Sequence, residues 1–264
     1  MFKKTVTFAV IVTLLTLPSL GARSEPAADH RVADIVSRGK LRAGIGVVAP
    51  HWAVKNAQTG ELRGVAVDLA RNLGTRLGVE LAIVEYPSPP AVLEGLKTEA
   101  WDVGFLAFDP ARAMLVDFSE PFMEIDATYI VAATSDLQSA EAIDRTGIRI
   151  GVTKNSVEDI TLKKLLAHAE LRQADTIPAL AQLLTAGEIQ ALAAPRPALL
   201  QIASANPGLR VLSGRFSSAK GAVVVPKGKA EHLSYVNDFI RESKASGAVQ
   251  KAIEQNGVRG VQVP

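Results

Sequence analysis

The sequence predicts an α/β protein built from mostly parallel sheets. Short runs rich in β-branched and aromatic residues alternate with segments of helical periodicity along most of the chain, and this alternation is typical of α/β folds. Several runs pass directly into a helix start that carries a capping residue. Nearly half of the 264 residues are hydrophobic, which is enough for a large core without disulfides.

The first 24 residues have the pattern of a secretory signal peptide. Lys3 and Lys4 precede an apolar run over 5–17, and this run is shorter than the about 20 residues that a membrane span needs. Small residues at Ala22 and Ser24 predict cleavage after Ser24. An uncleaved anchor is the alternative. The chain has no cysteine, which excludes a lipid-anchored cysteine, so we expect a free protein in the periplasm.

Composition excludes several classes of function. Cleavage would remove three basic residues and no acidic one, so the net charge of +2 would become −1. The chain has no basic run that would suit nucleic acid and no glycine-rich phosphate loop. The four histidines lack paired metal-ligand spacing. We therefore expect no metal, no cofactor and no nucleic-acid partner. The about 240 mature residues predict one large domain or two smaller ones.

Periodicity then predicts the elements in chain order. Strands are expected over 41–47, 79–86, 103–108, 129–133, 148–153, 189–193, 209–212 and 222–225. Helices are expected over 66–77, 90–98, 157–169, 177–184, 197–203, 232–246 and 248–255. Ser156 is predicted to cap the helix that begins at Val157, with Asp159 three residues on in a weak capping box. In open α/β sheets, ligands bind outside the carboxyl ends of the strands.

The segment from Trp101 to Phe122 predicts half of an anion site. Asp109 is a good helix N-cap and Pro110 a good first helical residue, so Arg112 is expected in a first helical turn. A guanidinium, free backbone N–H groups and the helix dipole together favour a bound carboxylate. An ordinary surface arginine is the alternative interpretation.

The order of these segments resembles the family 3 extracellular solute-binding proteins, the periplasmic receptors of polar amino-acid ABC importers. The likeness covers essentially the whole mature chain. One matching segment is GELRGVAVDLARNLGTRLGVEL, which matches at Gly64, Val67, Asp68, Leu69, Ala70 and 77–79. WDVGFLAFDPARAMLVDFSEP matches at Pro110, Arg112, Val116, Asp117, Phe118, Ser119 and Pro121. IRIGVTKNSVED matches a third family segment.

The resemblance implies a two-lobed periplasmic binding protein fold of type II. Two α/β lobes would be joined by two crossing strands, with the ligand cleft between the lobes. The crossings are expected near 126–133 and 218–225. Lobe 1 would then comprise 30–126 plus 224–264, and lobe 2 would comprise 132–218. Both expected crossings are β-prone and lie between helix-rich blocks.

The resemblance also implies roles for individual residues. Arg112 matches the arginine that pairs with the ligand carboxylate, with Ala107 and Asp109 beside it. Ser156, together with the backbone of Asn155 and Val157, matches a lobe 2 loop that closes over the same carboxylate; a plain helix cap is the alternative. His51 and Trp52 lie in the loop where the family has an aromatic wall. Trp52 is expected either to stack on the ligand or to pack in the core.

Two departures from the family pattern concern the ligand. The segment from Asp102 to Arg112 is shorter than in the family, and Asp109 replaces the usual Thr or Ser; Asp109 either partly neutralises Arg112 or caps the helix. Pro195 stands where lobe 2 carries an aspartate for the ligand's α-ammonium. Proline has neither a charge nor an N–H. Asp109, Glu124 or Asp126 is an alternative source of the missing charge; without one, a carboxylate that lacks an α-amino group is a candidate ligand.

The expected function is a monomeric binding receptor that captures a small carboxylate-bearing solute, an amino acid or related organic acid, and delivers it to a membrane ABC permease. The chain contains neither the GxSxG nucleophile motif nor the HExxH zinc-binding motif, and no enzymatic activity is expected. One alternative is a dehydratase similar to cyclohexadienyl dehydratases, with His51, Glu124 and Glu158 as candidate acid–base residues. The other is a sensory subunit that presents its ligand to a membrane receptor.

Overall fold

The structure is a computed structural model that describes residues 29–264. The expected signal peptide lies outside these residues. The described chain begins with a 3-10 turn over His30–Val32 and a short helix α1 over Ala33–Ser37. None of the helices in residues 29–264 is long and apolar enough to span a bilayer.

The first half of the described chain forms a βαβ-rich unit that ends in one long strand. Its elements are β1 Lys40–Gly46, β2 Val54–Lys55, β3 Leu62–Arg63, α2 Val65–Leu77, β4 Glu80–Tyr86, α3 Pro89–Glu94, β5 Val103–Ala107 and β6 Val116–Ala132. Gly78 ends α2 in the left-handed region, at φ 67°, where a residue without Cβ is favoured. Ser88 caps α3, because its Oγ accepts the N–H of Ala91 at 3.4 Å.

The second half repeats the alternation and then returns. Its elements are β7 Arg149–Thr153, α4 Val157–Leu165, β8 Glu170–Ala174, α5 Ile177–Thr185, β9 Ala191–Pro195, α6 Arg196–Ala205, β10 Leu209–Val211, β11 Ser217–Pro226, α7 Ala230–Ala245, α8 Ala248–Gln255 and β12 Val261–Gln262. The expected helix over 90–98 is α3 followed by a 3-10 turn over Gly95–Thr98.

One sheet runs through the whole molecule in the order β4-β1-β5-β11-β6-β9-β7-β8, with β10 and β12 also paired to β6. Strands β1, β4 and β5 are parallel to one another, as are β7, β8 and β9. Strands β6 and β11 pair antiparallel with each other and with their outer neighbours. The expectation of mostly parallel sheets therefore holds for the outer strands only, because the chain crosses the middle twice in opposite directions.

The apolar cores divide the molecule into two lobes, as predicted. Two cores draw on the segments up to Ile125 and from Val223 onward. Two further cores lie on the two faces of the β9-β7 region and draw on residues between Tyr129 and Phe216. Strands β6 and β11 pass from one set of cores to the other. The lobe boundaries given above remain a proposal, which the separate cores support.

Candidate functional site

Strand directions bring the carboxyl ends of β5 and β9 toward a common cleft. Ala107, at the end of β5, pairs with Gly221, which in turn pairs with Met123 on β6. Pro195, at the end of β9, pairs with Ala127 on β6. Met123 and Ala127 are four residues apart, so the two strand ends are offset along β6 by about 13 Å. That offset leaves room for a small solute between the lobes.

Arg112 lies on a single 3-10 turn, Arg112–Met114, rather than on the helix predicted from Asp109 and Pro110. Asp109 still caps this turn: its Oδ1 accepts the N–H groups of Ala111 at 2.9 Å and Arg112 at 3.1 Å. The prediction of a longer helix was wrong because the chain enters β6 at Val116, directly after the turn. With so few aligned peptides, the helix dipole contributes little here.

The guanidinium of Arg112 retains most of its donors. Its Nη1 donates to the carbonyl oxygen of Ala107 at 2.9 Å. Within residues 29–264 it has no other hydrogen-bond acceptor and no acidic partner. Asp109 forms no ion pair with it in this part of the chain, so Asp109 acts through the backbone cap. The free N–H groups of Arg112 can receive a carboxylate in the two-pronged geometry that guanidinium favours.

Arg112 borders a small and otherwise apolar cavity of about 120 Å³. The cavity is lined by Gly46, Val48, Trp52, Pro89, Val92, Phe105, Leu106, Ala107 and Arg112. All of these residues belong to lobe 1, and Arg112 is the one charged group among them. Low local polarity strengthens an interaction between a guanidinium and an anion.

Trp52 belongs mainly to the core of lobe 1. Its side chain is 9% exposed and meets Phe122 edge to face at a centroid distance of 6.2 Å. Phe122 meets Phe105 in the same manner at 6.0 Å. Trp52 also lines the Arg112 cavity. Stacking of Trp52 on a ligand stays a prediction, and the packing role is visible directly.

His51 faces a different space, a cavity of about 460 Å³ between the lobes that Pro195 also lines. The imidazole lies 5.7 Å from the ring of Trp52 at a tilt of 57°. Burial lowers the pKa of His51 to about 4, because desolvation disfavours the charged form. His51 is therefore neutral at the pH of a bacterial envelope.

The buried carboxylate of Asp159 stabilises the turn of lobe 2 that precedes α4. Asn155 adopts the left-handed region at φ 58°, and its N–H donates to Asp159 Oδ2 at 3.0 Å. The Oγ of Ser156 accepts the N–H of Asp159 at 3.1 Å, which confirms the predicted cap. The predicted capping box differs in one respect, since Asp159 reaches back to Asn155 rather than to Ser156.

Asp159 is fully buried and is satisfied by two side chains as well. Lys163 Nζ donates to it at 2.9 Å, and Gln173 Nε2 donates to both oxygens at 2.8 and 2.7 Å. Burial acts to raise the pKa of Asp159, but the hydrogen bonds from Lys163, Gln173 and Asn155 outweigh it and hold the pKa below its ordinary value. The sequence indicated Asp159 only through its capping-box spacing.

Apart from His51 and Asp109, the predicted site residues fall into two groups. Arg112, Ala107 and Trp52 line the cavity of lobe 1, whereas Asn155, Ser156 and Val157 lie on lobe 2, outside the described lining of that cavity. The N–H of Asn155 is bound to Asp159, and that of Ser156 donates to Thr153 O at 3.1 Å. Val157 is 70% exposed at the start of α4.

Solved structures with this architecture include two-lobed solute-binding proteins and an ancestral enzyme. An amino-acid ABC transporter substrate-binding protein from Streptococcus pneumoniae, bound to L-arginine, is 25% identical with a TM-score of 0.60, covering 85% of this chain and 97% of that one. An ancestral cyclohexadienyl dehydratase is 25% identical with a TM-score of 0.61, covering 88% and 97%.

The sequence comparison gives the family. Residues 41–257 match the bacterial extracellular solute-binding proteins, family 3, and the chain belongs to this family. A curated relative, the L-cystine-binding protein TcyJ of Escherichia coli strain K12, is 27% identical over 224 residues, which are 84% of each chain. The family and the two-lobed fold predicted from the sequence are thus confirmed.

Residues 29–264 hold no cluster of three or more His, Asp or Glu side chains suited to a metal ion.

Substitution of Asp159 tests whether its carboxylate stabilises the lobe 2 turn. Asp159→Asn should lower the free energy of unfolding by about 2 kcal/mol, because charge-assisted hydrogen bonds to a buried group are lost. Asp136→Asn removes a carboxylate that is 82% exposed and should change stability by less than about 0.5 kcal/mol. Urea denaturation measures both. Equal effects of the two substitutions would contradict the role given to Asp159.

The titration of His51 is a second test. Its folded pKa of about 4 lies below the ordinary 6.5, so the unfolded chain binds more protons between these values. The contribution of His51 to stability is therefore complete above about pH 6.5 and is lost as the pH falls toward 4. We expect the His51 C–H resonance to titrate near pH 4, assigned by its loss in His51→Gln. A midpoint near 6.5 would show that the imidazole is solvated.

Proposed function

We propose that this chain is the solute receptor of an ABC importer and that it captures a small carboxylate-bearing solute between its lobes. The observation that carries the proposal is the guanidinium of Arg112, whose donors are mostly free beside an apolar cavity. A buried or half-buried guanidinium without a protein anion is stabilised when a ligand supplies the negative charge. Membership of the solute-binding family supports the same function.

Capture would proceed by closure of lobe 2 onto lobe 1. A solute that docks its carboxylate on Arg112 presents its free side to the carboxyl ends of β7 and β9. The helix α4 begins at Val157, and the first N–H groups of a helix attract anions. Hinge closure about the crossing strands β6 and β11 would bring this start to the bound solute. Through its hydrogen bond with Asn155, Asp159 would preserve the conformation of the turn during this motion.

The remaining parts of the proposal follow the family. Delivery to a membrane permease is supported by the similar Streptococcus pneumoniae protein, which is named as an ABC transporter component. A periplasmic location, reached through the expected signal peptide over 1–24, fits a receptor that works outside the inner membrane. We propose a monomer. A sensory receptor would use the same site. Recovery of a cognate permease, rather than a sensor, from membranes would distinguish a transport receptor from a sensory receptor.

A dehydratase on this fold is the competing activity, because an ancestral cyclohexadienyl dehydratase shares the architecture. Elimination needs an acid or base poised to exchange a proton near neutral pH. His51 is neutral with a pKa of about 4, and Glu124 contacts Arg215 at 3.2 Å. The low pKa of His51 and the pairing of Glu124 with Arg215 favour a receptor. Loss of prephenate or arogenate on incubation with purified protein would favour the enzyme.

Substitution of Arg112 tests the proposed carboxylate site. A thermal-shift screen of amino acids and organic acids first identifies ligands, which raise the melting temperature by mass action. Arg112→Ala should then weaken the best ligand by about 100-fold or more in calorimetry, because a charged hydrogen-bonded contact is lost. Arg112→Lys keeps the charge but not the planar fork and should be intermediate.

The matched control is Arg172→Ala, which removes an arginine that is 57% exposed and paired with Glu170. It should leave the affinity unchanged. Undiminished binding by Arg112→Ala would show that the carboxylate lies elsewhere. A screen in which no carboxylate raises the melting temperature would overturn the proposed function.

A further inference from the structure

The residues that line the cavity between the lobes indicate the chemistry of the part of the solute beyond its carboxylate. Lobe 1 contributes the loop at Ala49–His51 and the segment 257–259, and lobe 2 contributes Ile177, Pro195 and the face of α6 that carries Leu200. Its volume is about 460 Å³, which falls in the range of small-molecule sites. The loop that lines it continues from Val48 in the Arg112 cavity, so one loop borders both spaces.

The lining of this cavity is mostly apolar and offers no negative charge. Three of its residues are prolines, and its polar groups are the neutral His51 together with Gln201, Ser204 and the exposed Arg259. Within residues 29–264 no aspartate or glutamate lines it. At the end of β9 the chain places Pro195, whose ring has neither charge nor N–H.

The acidic residues of the crossing strands are already paired. Asp126 is 4% exposed, and its oxygens accept from Arg215 at 2.9 Å and from Gln262 at 3.1 Å. Glu124 accepts from Arg215 at 3.2 Å, with Lys220 at 3.9 Å. An ammonium group in the cleft would have to compete with these cations. Glu158 and Asp175 lie at the starts of α4 and α5, outside the lining of the cavity. Asp109, near Arg112, lies outside the lining of both cavities and accepts the N–H groups of Ala111 and Arg112.

We infer that the solute is a carboxylic acid whose body is uncharged and largely apolar, with no ammonium group beside the carboxylate. The inference rests on the proposed function, because Arg112 supplies the carboxylate end. A buried ammonium without an anionic partner is costly, whereas an apolar body gains by leaving water for this cavity. The relatives' named solutes, such as L-cystine, are amino acids, so this chain would differ from them in its ligand class.

Matched ligand pairs test the inference. Each pair contains an amino acid and the same acid without its amino group: phenylalanine with 3-phenylpropanoate, leucine with 4-methylpentanoate, and methionine with 4-(methylthio)butanoate. Isothermal titration calorimetry with the full mature chain should show the deaminated acid of the best pair binding at least about tenfold more tightly than the amino acid, because the unpaired ammonium is penalised.

Pro195 provides the matched variants. It is the N-cap of α6, at φ −55° and ψ 134°, and both aspartate and asparagine are favoured at such a position, so both variants should fold. Pro195→Asp should move the affinity ratio toward the amino acid by about tenfold or more, because it adds the missing anion. Pro195→Asn adds similar shape without charge and should leave the ratio within about threefold of the native one.

The outcomes separate this inference from the proposed function. Tighter binding of the amino acid by the native protein would overturn the inference, and Glu158→Gln and Asp175→Asn would then identify the carboxylate that holds its ammonium. An equal shift by Pro195→Asp and Pro195→Asn would also overturn it, because charge would not be the cause. Binding of only polar carboxylates from the wider screen would overturn the inference alone, and binding of no carboxylate would overturn both.

Discussion

The pairing of β6 with β11 is the constraint on which the site depends. These are the strands that pass between the lobes, and their register places Gly221 beside Met123 and Ser217 beside Ala127. The first pair lies level with the end of β5, and the second lies level with the end of β9. A slip of one residue would turn every side chain on these strands to the opposite face. The irregular register between Gly221 and Val224 marks a local change in twist at this crossing.

Arg112 differs from arginines that are paired with buried carboxylates. Asp102 is buried and accepts from both Arg38 at 2.8 Å and Arg42 at 2.7 Å. Arg215 is similarly bound to Asp126. These pairs satisfy their own charges and hold neighbouring elements together. Within residues 29–264, Arg112 has one backbone carbonyl as its hydrogen-bond partner, which leaves its other donors for the carboxylate of the proposed ligand.

Local sequence patterns were sufficient for most elements and insufficient for several strands, namely β2, β3, β8, β12 and the first part of β6. Alternation and capping residues predicted the order of helices and strands, and the cap at Ser156 was correct. Strand β8 has the sequence ELRQA and is largely exposed, so it lacked the apolar alternation that marks a half-buried strand. The first part of β6 carries Pro121 and several charged residues, which concealed its length. Strand β12 has two residues and depends entirely on its partner.

Sequence patterns were likewise sufficient for only part of the candidate site. Arg112, His51 and the Ser156 turn were predicted as site residues from motifs and from the family resemblance, but their surroundings come from distant positions that no local pattern links. The core position of Trp52 depends on Phe122, 70 residues later in the chain. The pairing of Asp126 depends on Arg215 and Gln262. Such contacts follow from how the lobes fold together rather than from residue spacing.

A crystal structure of the protein with the acid that stabilises it most would test the central claim most directly. The account predicts the ligand between the lobes, with its carboxylate oxygens about 2.7–3.0 Å from two nitrogens of the Arg112 guanidinium. It also predicts the start of α4 closed onto the ligand. A ligand carboxylate bound elsewhere, with Arg112 still bonded only to the carbonyl of Ala107, would contradict the account.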